Sequence, residues 1–158
     1  MKVFAPFERL FIASTHDYIL FITSEGKLYW VKVHEIPEGS RTSKGQSAKM
    51  LLAISNNEEI TAIVSVDDIK SNKSLFMATI KGVVKKVKVS DFERAKARGI
   101  IAIKLDEGDK LISVNLTEGD NDVVLVTRGG NALRFNEESV RVMGRASRGV
   151  TGIKLRKE

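Results

Sequence analysis

The feature that most constrains this chain of 158 residues is a pattern that it repeats three times. An apolar run leads into Thr-x-x-Gly, and a second apolar run follows, at 23–26, 79–82 and 127–130. A second glycine comes 19, 17 and 19 residues later, and a small residue stands three positions beyond it (Gly45 and Ala48, Gly99 and Ala102, Gly149 and Gly152). Self-similarity at such a period is typical of repeat architectures, in which neighbouring units bury each other's faces.

Short apolar runs separated by Gly, Asn, Asp and Ser fill each repeat, and no long stretch has a helical apolar period. The sequence therefore predicts an all-β chain. The predicted strands are 8–14, 18–24, 27–34, 47–54, 59–66, 74–80, 83–90, 100–105, 110–117, 122–128, 131–136 and 150–155. Asp91 to Lys96 is expected to form at most one helical turn.

Four short strands in each repeat indicate a propeller-like blade. We expect a frayed N-terminus over 1–6 and one domain over 7–158, with repeats at about 7–68, 69–120 and 121–158. Because a closed ring of three blades would be unusually tight, the prediction is a partial array of about three four-stranded blades with open ends.

Composition excludes several classes of protein. Hydrophobic residues make up 42% and charged residues 29%, which fits a packed domain. The absence of cysteine excludes disulfides and thiolate metal sites, and two histidines are too few for a histidine-rich site. No apolar run reaches the roughly 18–20 residues of a membrane span, and no signal-peptide pattern opens the chain. A net charge of +6 favours an anionic partner.

The positive charge recurs in phase with the repeat. Residues 26–51 hold five cations and two acids, 81–104 hold eight and two, and 128–157 hold eight and two. Acids gather instead in the connecting turns, at 58–59, 67–68, 106–109 and 118–122. Since equivalent segments of stacked blades lie at equivalent positions, we expect the cations to form one belt, the footprint of a nucleic-acid backbone.

The segment 81–104 is the most basic part of this pattern. Its first half alternates as a half-buried strand should, with Val87 and Val89 on one face and Lys86 and Lys88 on the other. Lys85 breaks the phase, so a bulge or a strand end is expected there. The prediction is a strand that shows water a row of ammonium groups, followed by a basic loop that ends at Gly99. A solvated strand face without a ligand is the alternative.

An enzymatic function has little support in the sequence. Gly129-Gly130 lies between two strands with no helix behind it, unlike a phosphate-binding loop. The acidic turns at 106–109 and 118–122 lack the spacing of an EF-hand and are explained as tight turns. His16 and Asp17 have no accompanying nucleophile. We therefore expect no catalytic residue, no metal site and no cofactor in this chain.

Three segments resemble the C-terminal domain of the A subunit of bacterial DNA gyrase: FIASTHDYILFITSEGKLYWVKVHEIPE (11–38), SLFMATIKGVVKKVKVSDFERAKARGIIAIKLDEGDKLISV (74–114) and VRVMGRASRGVTGIKL (140–155). The corresponding domain of topoisomerase IV is the nearest relative. The resemblance implies a β-pinwheel, usually of six blades that exchange strands, whose outer rim binds and bends duplex DNA. It also implies a bacterial, cytoplasmic and nucleoid-associated protein. Such a domain works with the remainder of the gyrase A subunit, with the gyrase B subunit, and in ATP-dependent DNA supercoiling.

Two departures limit what the resemblance implies. The family's basic box, Gln-Arg-Arg-Gly-Gly-Lys-Gly, is missing, and only weaker basic segments stand at 41–45, 94–99 and 145–149. The family's cleavage module, with its active-site tyrosine, is also not in this chain, and Tyr18 and Tyr29, which lie in predicted strands, are interpreted as structural. This chain is thus expected not to be an enzyme by itself, and its wrapping of DNA is open.

We hypothesise from the amino-acid sequence that the chain contacts DNA phosphates blade by blade, without specificity for the DNA sequence. The residues assigned to these contacts are Lys32, Arg41, Lys44, Lys85, Lys86, Lys88, Arg94, Lys96, Arg98, Arg134, Arg141, Arg145 and Arg148. The alternative is a propeller-type protein-interaction module, for which Trp30, the only tryptophan, is the test residue. Self-association through open blade edges is a further expectation.

Overall fold

The computed structural model describes residues 9–155 and is built from β-strands. The ten strands are β1 Tyr18–Thr23, β2 Lys27–Lys32, β3 Ile60–Val66, β4 Ser74–Thr79, β5 Val83–Lys88, β6 Ile100–Ile101, β7 Leu111–Thr117, β8 Asp122–Val126, β9 Ala132–Asn136 and β10 Val150–Thr151. Five short 3-10 helices lie at Val33–Glu35, Ala48–Met50, Val89–Phe92, Lys96–Arg98 and Glu137–Ser139. None of the helices described here is long and apolar enough to cross a membrane.

The strands form two antiparallel blades and a hairpin. Blade 1 has the order β3-β1-β2-β6, and blade 2 has the order β10-β5-β4-β7. Strands β8 and β9 pair only with each other within residues 9–155. Each complete blade thus takes its fourth strand from the next repeat, because β6 follows β5 in the chain and β10 follows β9. The prediction of an all-β, partial pinwheel is confirmed.

The Thr-x-x-Gly motif is a structural turn that is built the same way three times. In each turn the glycine N–H donates to the threonine carbonyl at 3.0 Å, and the threonine hydroxyl oxygen accepts from the residue after the glycine. The three glycines have positive φ angles of 75°, 80° and 81°, which a residue with a Cβ adopts only under strain (Gly26, Gly82 and Gly130). The turn chemistry therefore explains the motif.

The second glycine and the small residue after it mark the strand exchange. The Gly26 carbonyl accepts the N–H of Ala102, and the Gly82 carbonyl accepts the N–H of Gly152, both at 2.8 Å. A Cβ at Gly26 would lie 2.8 Å from the side chain of Ile103, so the next repeat docks directly on the turn. We call the contact of β2 with the repeat that supplies β6 the first junction, and that of β5 with the repeat that supplies β10 the second junction.

The main hydrophobic core lies between the two complete blades. It joins residues of blade 1 such as Leu20 and Trp30 to residues of blade 2 such as Leu75 and Phe92. The core between blade 2 and the β8–β9 hairpin is much smaller and centres on Phe76, Val84 and Val140. Apolar burial therefore holds the first junction more than the second.

Two predicted strands and one predicted bulge are wrong. Residues 9–14 contain no strand, and residue 8 and the expected frayed N-terminus over 1–6 lie outside the described residues. The predicted strand 47–54 contains a 3-10 helix instead, since Ser47 caps the turn by accepting the N–H of Lys49. Strand β5 pairs with β4 in continuous register across Lys85, and the irregularity lies at Ala78/Thr79 of β4.

Candidate nucleic-acid interface

Each repeat carries a basic loop between its second strand and its second glycine. We call them loop 1 (residues 33–45), loop 2 (89–99) and loop 3 (137–149). Loops 2 and 3 are followed directly by the exchanged strands β6 and β10. These two loops therefore lie where one blade is joined to the next.

Loop 2 presents its cations to solvent on an anchored backbone. Phe92 and Ala95 are fully buried and fix one side of the loop, while Arg94, Lys96 and Arg98 are exposed or half-exposed. Residues 93–98 line an open depression of about 730 Å³. At the end of the loop a Cβ on Gly99 would lie only 2.3 Å from the ring of Tyr29, so the chain rests directly on that aromatic face.

Loop 3 occupies the corresponding place at the second junction. Val140 is buried, and the N–H of Met143 donates to the Lys86 carbonyl at 2.8 Å. The segment lines a smaller depression of about 370 Å³. The side chains of Arg141 and Arg145 are exposed and have no hydrogen-bond or ion-pair partner among residues 9–155.

One cation of loop 3 is already paired with an acidic turn. Arg148 Nε lies 2.8 Å from both carboxylate oxygens of Asp106. This hydrogen bonding holds the pKa of Asp106 below its usual value and raises the pKa of Arg148. The expectation that cations and acids lie apart is therefore wrong at this position.

Loop 1 is the most open of the three. Arg41 and Lys44 are exposed, and a Cβ at Gly45 would meet nothing within 4 Å. Before the loop, Lys32 is half-buried, and its Nζ lies 5.0 Å from the ring centroid of Tyr18. Lys32 therefore supports the entry to the loop through a cation–π contact.

The predicted row of solvent-facing ammonium groups on β5 is wrong for Lys85 and Lys86. These side chains are 0% and 6% exposed. The Lys85 ammonium donates to three backbone carbonyls, and the Lys86 ammonium donates to the Glu137 carbonyl at 2.9 Å. Both are thus occupied inside the protein, because a buried ammonium must find acceptors. Only Lys88 of this strand is exposed.

The remaining predicted residue, Arg134, lies on β9 and is exposed, with its Nε 3.8 Å from Asp122. The solvent-accessible cations of the predicted set without an ion pair in the described part of the chain are Arg41, Lys44, Lys88, Arg94, Lys96, Arg98, Arg141 and Arg145. All but Lys88 belong to the three loops, and Lys88 directly precedes loop 2.

Sequence reasoning missed two buried carboxylates. Glu137 is 0% exposed and accepts from the Thr117 hydroxyl and from the N–H groups of Gly119 and Asn121. Burial acts to raise its pKa, but these hydrogen bonds and the Lys86 ammonium outweigh it and leave the pKa below its usual value. Glu58 is also buried and accepts from Lys27 and from the Tyr29 hydroxyl.

Other candidate sites have structural roles. Trp30 is 9% exposed, and its indole N–H donates to the Phe92 carbonyl at 2.9 Å across the first junction. The described residues contain no group of three or more His, Cys, Asp or Glu side chains that could hold a metal ion. His34 Nδ1 lies 3.1 Å from the Thr15 carbonyl and helps to close a turn.

Comparison with known proteins places the chain among relatives of one kind. The family model described as the DNA gyrase C-terminal domain, a beta-propeller, matches residues 17–67, 73–118 and 121–158. The chain is 51% identical over 139 residues to the DNA gyrase A subunit of Treponema pallidum, and 47% identical over 148 residues to that of Salmonella typhimurium. These matches cover 88% and 94% of the chain but only 17% of each relative.

Solved structures agree with the sequence comparison. The C-terminal domain of DNA topoisomerase IV superposes with a TM-score of 0.84 at 30% identity, and the DNA gyrase A C-terminal domain with 0.75 at 32%. The matches cover 90% and 92% of this chain, and 45% and 46% of those chains. With the family model matched in all three repeats, the chain belongs to the family of DNA gyrase A C-terminal domains.

Proposed function

We propose that this chain binds duplex DNA through the three basic loops, and that the phosphates run across the junctions between blades. The supporting observation is that seven solvent-accessible cations without ion pairs among the described residues fall in equivalent loops of successive repeats. Lys88 contributes from the end of β5, directly before loop 2. Lys85 and Lys86 are left out because their ammonium groups are buried.

Contacts of this type hold DNA without specifying its sequence. Arginine and lysine bind phosphate oxygens, which are the same at every base pair, so preference arises from the bendability of the DNA. The depressions of loops 2 and 3 are open to solvent and partly lined by arginine and lysine side chains, which suits a phosphate backbone. We infer binding along a curved edge, with bending that costs on the order of 1–6 kcal/mol and is offset by the charged contacts.

Salt titration of duplex binding tests this proposal. If about five phosphates are neutralised, the logarithm of the affinity falls against the logarithm of the salt concentration with a slope of about −4.5. Fluorescence anisotropy of a labelled duplex in increasing KCl measures it. A slope near zero would contradict the proposal.

A pair of matched double variants separates the loops from overall charge. Arg94→Ala/Arg98→Ala removes two positive charges from loop 2, and Lys73→Ala/Lys110→Ala removes two from outside the basic loops. The first is expected to weaken binding and reduce the slope by about 2, and the second to leave the slope near its original value. Equal effects of both would show that net charge alone attracts the DNA.

Within the intact enzyme, we propose that this domain acts without a cleavage residue of its own and supports ATP-dependent supercoiling by the gyrase A and B proteins. The bend would present a second DNA segment to the cleavage gate. Ligation of a nicked circle in the presence of the chain tests for wrapping, which changes the linking number. Binding without that change would leave bending alone.

We also propose that the open edge of the β8–β9 hairpin accepts a strand from another blade, either of a longer chain or of a second copy. Val124, Val126 and Leu133 are 59%, 69% and 40% exposed there. An exposed edge with apolar side chains is a template for strand pairing. Light scattering at increasing concentration measures self-association, and a constant monomeric mass would contradict it for this chain.

A further inference from the structure

We propose that Lys85, although buried, is a positioning residue for DNA binding, because its ammonium group fixes the backbone of loop 3 and so places the Arg145 side chain. The inference rests on the function proposed above. It assigns a role in binding to a residue that cannot itself reach a phosphate.

Three backbone carbonyls accept the protons of the Lys85 ammonium group. Lys85 Nζ donates to the carbonyls of Arg145 at 2.6 Å, Ser147 at 2.8 Å and Ala102 at 2.8 Å. An ammonium has three protons, so these three acceptors satisfy it completely. Two of the three belong to loop 3, and one is the carbonyl of Arg145 itself.

Lys85 also lies at the point where two repeats meet. Ala102 belongs to the segment that docks on the Gly26 turn, and the N–H of Lys104 from the same segment also donates to the Ser147 carbonyl, at 3.0 Å. A Cβ at Gly149 would lie 2.6 Å from the Val84 carbonyl oxygen and 3.2 Å from the Cβ of Lys85, so the end of loop 3 rests on β5 beside this side chain. The ammonium therefore joins loop 3 to the first junction as well as to blade 2.

The equivalent position of the previous repeat holds a residue that makes no such bonds to its loop. Lys85 stands three residues after its turn glycine, as Tyr29 does. Loop 2 rests on the Tyr29 ring, but the Tyr29 hydroxyl donates to Glu58 and not to the loop. Loop 3 is instead fastened by directed bonds to its own carbonyls. A buried charge is costly unless such bonds compensate it, so the lysine is explained by what it holds.

Limited trypsin digestion tests the positioning without DNA. In Lys85→Met the Arg145 carbonyl loses its donor and the Ser147 carbonyl keeps only the N–H of Lys104, so cleavage after Arg145 is expected to become faster. Cleavage after Arg94 in loop 2 is the internal control, because that loop does not contact Lys85 through a hydrogen bond. Equal acceleration at both sites would show only a general loss of stability and would overturn the proposal.

DNA binding tests the consequence. Lys85→Met is expected to reduce the slope of log affinity against log salt by about 1, as Arg145→Ala does. In the Arg145→Ala background, Lys85→Met is expected to change the slope no further, because both substitutions remove the same contact. Lys110→Met removes an exposed cation outside the loops and measures the effect of net charge.

The outcomes separate the two proposals. If the unaltered chain binds DNA and Lys85→Met does not change the slope, the positioning role is wrong and the proposed function stands. If the unaltered chain does not bind DNA, the proposed function fails and Arg145 has no phosphate to meet. In that case faster cleavage after Arg145 alone would still show that Lys85 holds loop 3.

Discussion

The two junctions join successive repeats with the same backbone pattern but with opposite side-chain chemistry. At the first junction the third and fourth residues after the turn glycine are Tyr29 and Trp30, and at the second they are Lys85 and Lys86. Trp30 shares an apolar cluster with Val89 and Phe92 of the next repeat. Lys86 instead meets Glu137, which stands seven residues after its turn glycine, as Val89 does.

This comparison shows that the repeat determines the backbone hydrogen bonds at each junction but not the side chains that pack there. Apolar burial dominates the first junction and is itself non-directional and indifferent to pH, although the buried Tyr29 hydroxyl there titrates at high pH. The second junction holds three buried charged groups, each satisfied by hydrogen bonds (Lys85, Lys86 and Glu137). Such groups add directed contacts and a dependence on pH, while they stabilise less than well-packed apolar residues of similar size.

The largest expected effect comes from breaking the charged pair of the second junction. Glu137→Val places here the residue type that the previous repeat has at the equivalent position, Val89. It leaves the Lys86 ammonium without its carboxylate partner. We expect the free energy of unfolding to fall by about 3–5 kcal/mol, measured by urea denaturation. Lys86→Met/Glu137→Val should recover part of the loss, since no unpaired charge then remains. A loss below about 1 kcal/mol in the single variant would contradict this account.

The next effect tests how closely the first junction is packed. Gly99→Ala and Gly45→Ala place a Cβ on glycines with φ angles of +71° and +72°. At Gly45 the new methyl meets nothing, so the backbone strain of about 1 kcal/mol is the whole cost. At Gly99, where a ψ of 155° is itself accessible to little but glycine, the methyl also collides with the Tyr29 ring, which adds about 1–3 kcal/mol. Thermal unfolding of both variants gives the difference, and equal losses would show a loose junction.

The sequence predicted the turns, and it repeats a second glycine at the positions where the structure shows the strand exchange, because the backbone requires glycine there. A positive φ at Gly82, and a Gly26 carbonyl oxygen only 2.8 Å from the Ala102 nitrogen, favour glycine over any larger residue at these turns, and so glycine recurs in each repeat. The exposure of the cations in loops 2 and 3 was predictable for a similar reason. The backbone of a short loop that is anchored by buried residues such as Phe92 can follow few paths.

The burial of Lys85 and Lys86 could not be predicted from alternation along β5. A strand covered on both faces by neighbouring repeats buries every side chain, so period two carries no information about exposure. The acceptors that satisfy Lys85 come from residues 17 to 62 positions away. A sequence signal for burial did exist, since Lys85 and Lys86 align with Tyr29 and Trp30, which are large aromatic residues of the kind that pack in a core.

A smaller effect is the dependence of stability on pH at the second junction. Burial lowers the pKa of Lys85 from 10.5 to about 8, and the nearby charge of Asp91 opposes this shift. Between pH 8 and 10 the unfolded chain therefore holds a proton that the folded chain has lost. Stability then rises with pH by up to about 1.4 kcal/mol per pH unit.

Urea denaturation of the unaltered chain and of Lys85→Met across about pH 8–10 measures this contribution, and Lys85→Met should lack the rise. The range ends there because the first junction acts in the opposite direction at higher pH. Burial and the hydrogen bond to Glu58 raise the pKa of Tyr29 from 10.0 to about 12, so the unfolded chain loses that proton first and stability falls. Parallel curves for the two proteins would show that Lys85 is not the source.

The smallest change in stability, and a gain in binding, is expected at the ion pair that borders the second junction. Arg148 and Asp106 are both exposed, and exposed pairs of this kind contribute little to folding. Asp106→Asn should leave the unfolding midpoint unchanged within error and release Arg148 toward a phosphate. The slope of log affinity against log salt is then expected to become steeper by about 1.

Asp67→Asn breaks the pair with Lys73 outside the loops and is the matched control, because it adds the same charge without freeing a loop cation. If the two variants bind DNA equally, Arg148 does not lie on the path of the DNA, and the proposed interface at the second junction is limited to Arg141 and Arg145.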